Sequence, residues 1–238
     1  VDEEYICKNV FIGKTDVSGM TKEEAVKAVN NTLGDYRNKQ LVLKVKDQGA
    51  DVSIEEMGAE VENIDKLAEK AVGYGKNGSI WSRYQKIHNL DKKKYVIDES
   101  FKVDEAKLRE LIQERAVPLE QKAVNASASY NGSGFDLTDE AEGYTVDVDK
   151  SVKKIKNFMN KKWNYEDAEV ELKLDMEEPT IKKADLESLQ DELGSYTTNA
   201  GWGDRVQNIR RATELINGTV VMPGEEFSVE QTTLPYTE

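Results

Sequence analysis

The chain has 238 residues, 33 of them basic and 46 acidic, for a net charge of −13 and a pI near 4.8. That balance repels nucleic acid and anionic lipid, and no run approaches the ~18 apolar residues of a membrane span. The single cysteine, Cys7, excludes an internal disulfide and a cysteine-based zinc cluster, and the single histidine, His88, confines any triad or histidine-rich metal site to one position.

The opening Val1-Asp2-Glu3-Glu4 is neither basic nor apolar, so an export or anchoring segment would have to precede it. Residues 10–20 read as an extended lead-in. "TKEEAVKAVNNTL" (21–33) reads as a helix, with Thr21 as N-cap, early acids and apolar residues at helical spacing. "LVLKV" (41–45) and "ADVSI" (50–54) read as a hairpin around a turn containing Gly49. Gly58 marks a corner that leads into a helix over 64–73. Residues 73–95 then combine Gly73, Gly75 and Gly78 with Trp81 and Tyr84, interleaved with Arg83 and Lys86, and end on Lys92-Lys93-Lys94.

A second lead-in, "FKVDEAKLREL" (101–111), opens a helix over 104–117. "AVNASASY" (123–130) and "FDLT" (135–138) flank Asn131-Gly132-Ser133-Gly134, a tight-turn sequence. Gly143 marks another corner, followed by a helix over 149–162 and a strand over 168–176. A third lead-in, "PTIKKADLESL" (179–189), is followed by no further hairpin. The last elements are a helix over 204–217 with Asp204 as cap and Gly218 as stop, a strand at Val220–Met222, and a Pro223-Gly224 turn.

The pattern contains an internal repeat. Gly58 and Gly143, Val61 and Val146, Ser53 and Thr138, and Glu55 and Glu140 are each 85 positions apart. Each copy reads helix, hairpin, glycine corner, helix, strand, which predicts an α+β fold with helices packed on antiparallel sheet. Gly58 and Gly143 are expected at equivalent corners, where a chain reversal calls for positive φ. The predicted organisation is a first unit with its lead-in over 1–100, a second unit over 101–187, and a different segment over 188–238.

Charge separates these segments. Residues 21–100 carry 14 basic and 14 acidic groups, residues 101–189 carry 14 and 20, and residues 190–238 carry 3 and 8. The neutral first unit is the least repulsive to an anionic polymer. Its 73–95 stretch also joins glycines, aromatic faces and clustered cations. Trp81, Arg83, Tyr84, Lys86, Lys92, Lys93 and Lys94 are therefore the candidate ligand-binding residues. Trp81 and Tyr84, three apart, could instead fill a core from one helical face. As ligand groups they would offer sugar rings a platform, with the cations taking carboxylates.

Other candidates have plainer readings. His88 reads as an exposed loop histidine. The acids Asp136, Asp139, Glu140, Glu142, Asp147 and Asp149 do not follow the EF-hand spacing and suit caps and solvated surface. Glu225-Glu226 could pair as acid and base, but two adjacent carboxylates usually diverge in space. No cofactor, metal site or catalytic residue is predicted.

The repeated units resemble the YoaR-like peptidoglycan-binding domain of Gram-positive cell-surface proteins. "GYTVDVDKSVKKI" (143–155), "GAEVENIDKLAEKAVGYGKNGS" (58–79) and "IGKTDVSGMTKEEA" (12–25) carry the resemblance. The last segment resembles the start of the VanW family, named after a vancomycin-resistance cluster, through Tyr196-Thr197-Thr198, Asn208-Ile209 and "INGTVVMPGEEFS" (216–228). These resemblances imply a non-catalytic module of the cell surface or wall, with peptidoglycan as partner and a VanW domain continuing past Glu238. Nucleic acid is not an expected partner. The chain itself is expected to make no membrane contact, with any anchor lying upstream. The rival readings are a spacer or protein-interaction module, or an accessory region of an enzyme whose catalytic domain lies elsewhere. Similar units precede L,D-transpeptidase domains, but those need a catalytic cysteine with a nearby histidine, and Cys7 in "YICKN" is not in that setting.

Overall fold

The computed structural model describes residues 3–234. The extreme ends of the first and third sequence segments, residues 1–2 and 235–238, lie outside the described residues. The fold is α+β, and its contacts divide the chain into two compact units. The first comprises Val1–Glu120 and Thr145–Asp175, the second Gln121–Tyr144 and Met176–Glu238. These are units of compaction, whereas 1–100, 101–187 and 188–238 are segments expected from the pattern of the sequence.

In the first unit β1 (Val10–Ile12) and β2 (Thr15–Asp16) pair antiparallel around Gly13, whose φ is +53°. Helix α1 (Lys22–Asp35) opens with a capping box. Thr21 Oγ1 accepts from the Glu24 N–H at 3.3 Å, and the Glu24 carboxylate accepts from the Thr21 N–H at 2.9 Å. Its stripe of Ala25, Val29 and Leu33 is buried.

Strands β3 (Gln40–Val45) and β4 (Gln48–Ser53) form the first hairpin, with Leu41, Leu43 and Val45 alternating into the core. The pairing of Val45 with Gln48 puts the turn at Lys46-Asp47, not at Gly49. Lys46 takes the left-handed conformation, φ +52°, which a lysine seldom adopts. Gly49 lies inside β4, where a Cβ would come 2.7 Å from Val42 Cγ1.

Gly58, φ +60°, turns the chain into β5 (Glu60–Val61) and then α2 (Ile64–Gly73). Helix α3 (Ile80–Leu90) follows, then β6 (Tyr95–Ile97), which lies parallel to β1. Strand β7 (Phe101–Lys102) pairs antiparallel with β5. In α4 (Glu105–Arg115) the Asp104 side chain caps the start, accepting from the N–H groups of Ala106 and Lys107. A 3-10 turn over Val117–Leu119 closes this stretch.

In the second unit β8 (Ser127–Tyr130) and β9 (Phe135–Thr138) form the second hairpin. The Asn131 Oδ1 accepts from the N–H groups of Ser133 and Gly134 in its turn. The chain returns to the first unit along β10 (Gly143–Val146). Gly143 is in extended strand here and has no positive φ, contrary to the expectation for this corner. A Cβ there would overlap the backbone nitrogen of Ala123, so close approach and not a reversal requires the glycine.

Helix α5 (Val148–Lys161) is capped by Asp147, which accepts from the Lys150 N–H at 2.8 Å, and buries Val152, Ile155 and Met159. Strand β11 (Ala168–Glu171) runs parallel to β3, from Ala168 opposite Leu41 to Glu171 opposite Lys44. The single strand expected over 168–176 is broken. The Lys173 N–H turns to Ser151 Oγ at 2.9 Å and its carbonyl accepts from the Asp147 N–H, so β12 (Leu174–Glu177) starts afresh. The element order helix, hairpin, corner strand, helix, strand occurs in both halves of the sequence, with α3 inserted in the first.

The second unit continues into the third lead-in. Asn125 Oδ1 accepts from the N–H groups of Thr180 and Ile181, and α6 (Lys183–Leu186) buries Leu186. Helix α7 (Asp204–Ile216) stops before Gly218, φ +81°. Residues Val220–Met222 form no strand. Pro223-Gly224 do make a turn, with the Glu225 N–H on the Met222 carbonyl at 2.9 Å and φ +91° at Gly224. Helix α8 (Val229–Thr232) follows. Leu193, Tyr196 and Trp202 are almost wholly exposed.

Candidate functional site on and beside helix α3

Ser79 starts α3 by accepting from the Ser82 N–H, and Leu90 anchors its far end in the core. Three aromatic side chains recur at helical spacing, Trp81, Tyr84 and His88, and so share a face. The rings of Trp81 and Tyr84 are 6.1 Å apart and 22° from parallel, and those of Tyr84 and His88 are 5.8 Å apart and 3° from parallel. Trp81 is 67% exposed and Tyr84 60%. The core-filling alternative for this pair is therefore overturned, because the face opposite Leu90 points to water. His88, expected in a loop, is on the helix and extends the ladder, with the Asp91 carboxylate 3.8 Å from Nδ1. Its place was open to sequence reasoning only if 80–90 was taken as helix, since the i, i+3, i+7 spacing then aligns all three.

The cations lie on flanking surfaces. The Tyr74 and Tyr95 rings stack at 3.7 Å, and the Lys86 ammonium sits 5.9 Å from the Tyr74 ring centre. Lys94 sits 5.1 Å above the Phe11 ring. Tyr74, Tyr95 and Asn89, with Lys92, Lys93 and Lys94, line an open groove of about 510 Å³. Arg83 instead faces a separate cleft of about 230 Å³, beside Ile80, Ile87 and Gly75. Gly75 has φ +77°, and a Cβ there would come 3.0 Å from Ile87. Of the seven residues singled out in the sequence, Trp81 and Tyr84 share the aromatic face, Lys92, Lys93 and Lys94 line the groove, Lys86 sits over Tyr74, and Arg83 lines the other cleft together with Glu3.

Lys8, Lys22, Lys102 and Lys183 each hold a carboxylate at 2.6–2.9 Å. Arg83, Lys86, Lys92, Lys93 and Lys94 form no ion pair with a described carboxylate. In a chain of net charge −13, five uncompensated cations within a dozen residues leave a local field open to an anionic ligand.

The other candidates have structural tasks. Asp147 caps α5, Asp136 accepts from Asn131, Asp139 pairs with Lys183, and Glu140 accepts from the Lys183 N–H. Glu225 accepts from the Met222 N–H within its turn. Among the described residues no group of three or more His, Cys, Asp or Glu is placed to hold a metal ion. Cys7 Sγ lies 3.4 Å from the Tyr74 carbonyl.

One polar centre had no signal in the sequence. Glu99 lies between β6 and β7, where its carboxylate accepts from the Tyr165 hydroxyl and the Lys14 N–H. Its other oxygen is buried without a partner. Burial pushes the Glu99 carboxyl up, and burial with the Glu99 contact pushes the Tyr165 hydroxyl up. A Cβ on Gly13 would overlap this carboxylate. Glu56 shows the opposite sign: the Arg115 guanidinium and the Ser53 N–H hold its carboxyl down to about 2.

A family model described as "Putative peptidoglycan binding domain" matches residues 50–168, half of the chain. No curated protein and no solved structure matches it. The matched span runs from β4 to the first residue of β11 and includes α3, the aromatic ladder and the cationic groove. By this match the chain belongs to that family of peptidoglycan-binding domains.

Proposed function

We propose that the chain is a non-catalytic module that holds a Gram-positive surface protein on peptidoglycan, and that it does so through α3. The observation that carries this reading is the exposed ladder of Trp81, Tyr84 and His88, lying inside the family match beside uncompensated cations. Sugar rings present C–H faces that stack on aromatic planes, and neighbouring carboxylates suit Arg83 and the lysines. The tandem segments 1–100 and 101–187 are part of the same reading. So is a VanW-like start over 188–238.

Exposed ion contacts are worth only ~0–1 kcal/mol each, so retention should be weak and salt-sensitive. The test is co-sedimentation with purified sacculi. Trp81→Ala with Arg83→Ala is expected to release the protein while its melting temperature stays within about 2 °C of wild type, because surface changes away from structural features cost about 0.5 kcal/mol or less. Wild-type retention by the folded double variant would place the site elsewhere. Turnover of muropeptides, lost on changing a single residue, would overturn the non-catalytic part.

A further inference from the structure

The groove beside α3 differs from the ladder in its chemistry. Three of its seven lining residues are lysines and none is acidic, although the chain has 46 acidic residues. The remaining polar groups are the Tyr74 and Tyr95 hydroxyls and the Asn89 amide, all able to donate. Its walls are also apolar, through the stacked tyrosine rings and Val96. Building on the peptidoglycan reading, we propose that this groove is a distinct subsite for the terminal carboxylate of a short peptide with small aliphatic side chains.

One feature favours a peptide carboxylate over phosphate. The apolar walls suit an anion that carries methyl groups, whereas phosphate is hydrated on every side. The groove's cations are all lysine, which meets carboxylate and phosphate alike as a point charge, since Arg83 faces the other cleft. Lys86, over the Tyr74 ring, adds positive charge at the wall without entering it. Sugar rings and peptide ends would then be read on different surfaces of one helix and its flanking strand.

The experiment titrates the whole, isotope-labelled chain with N-acetyl-alanyl-alanine as free acid and as C-terminal amide, following backbone amide shifts. The acid is expected to move the signals of residues 74 and 89–96 saturably. The amide should bind about tenfold more weakly or worse, through loss of a charge-assisted contact. Lys92→Gln, Lys93→Gln and Lys94→Gln together should weaken the acid by at least about tenfold while the rest of the spectrum stays in place. Equal binding of acid and amide, shifts confined to other residues, or full displacement by inorganic phosphate at matched concentration and ionic strength would each overturn the subsite. Sacculus retention is a separate measurement. Its absence would defeat the parent reading, whereas retention without acid-over-amide discrimination would defeat this inference alone.

Discussion

Gly143→Ala is expected to destabilise the second unit by about 3 kcal/mol or more, against about 1–2 kcal/mol for Gly58→Ala in the first. The two glycines stand 85 positions apart in the sequence but differ in cause. At Gly143 an added methyl would meet backbone, the nitrogen and Cα of Ala123. That backbone is pinned on both sides. Gln121 and Tyr144 exchange hydrogen bonds at 3.2 and 2.7 Å, and Val124 and Ala141 do so at 2.9 Å. Making room breaks at least one of these pairs. Gly58 instead has φ +60° with the Asp104 Cβ 3.2 Å from the added atom, so its cost is mainly that of a left-handed alanine. Asparagine separates the two cases, because it tolerates the left-handed region and only enlarges a steric clash. Gly58→Asn should cost less than Gly58→Ala, and Gly143→Asn at least as much as Gly143→Ala. Urea unfolding of the four variants measures this. A Gly143→Ala protein as stable as wild type would contradict the close approach.

The contrast also marks where sequence reasoning stops. Helix starts were legible because caps are local. Thr21, Asp104 and Asp147 each bond to N–H groups two or three residues on, and α1, α4 and α5 begin beside them. The amphipathic stripes were legible for the same reason. Strand partners were not, since nothing in "AEVELKLDM" says that Ala168–Glu171 will lie parallel to a strand more than a hundred residues earlier. The turn at Lys46 was hidden because a lysine took the positive φ and Gly49 drew attention to itself. In the candidate site, the residue types were legible as a cluster around 81–94. Their separation into ladder, groove and cleft depends on Tyr74, Tyr95 and Phe11, which reach α3 and Lys94 from other elements. The Glu99–Tyr165 pair joins residues 66 apart and leaves no periodic trace.

That pair gives the clearest pH signature. Glu99→Gln is expected to raise stability relative to wild type at pH 7, and to lose the advantage as the pH falls toward 4.5. Burial raises the folded-state pKa of Glu99 above the unfolded value of about 4.3. The fold therefore favours the protonated carboxyl. Its contribution is fully present below the unfolded pKa and is lost as the pH rises through the folded one. Glutamine keeps an acceptor for the Tyr165 hydroxyl and the Lys14 N–H but cannot ionise. Tyr165 stays neutral and donating throughout this range, since its own pKa is raised. Glu56 acts with the opposite sign and in a different window. Its pKa is lowered to about 2, so its contribution is present above about 4.3 and is lost as the pH falls toward 2. The relaxation of the −13 net charge toward the pI stabilises both proteins alike and cancels in their difference. Denaturant unfolding of wild type and Glu99→Gln at pH 7, 5.5 and 4.5 reads the difference directly. A stability gap that does not change with pH would show that Glu99 titrates as an ordinary surface carboxylate and that its buried oxygen has a partner in solution.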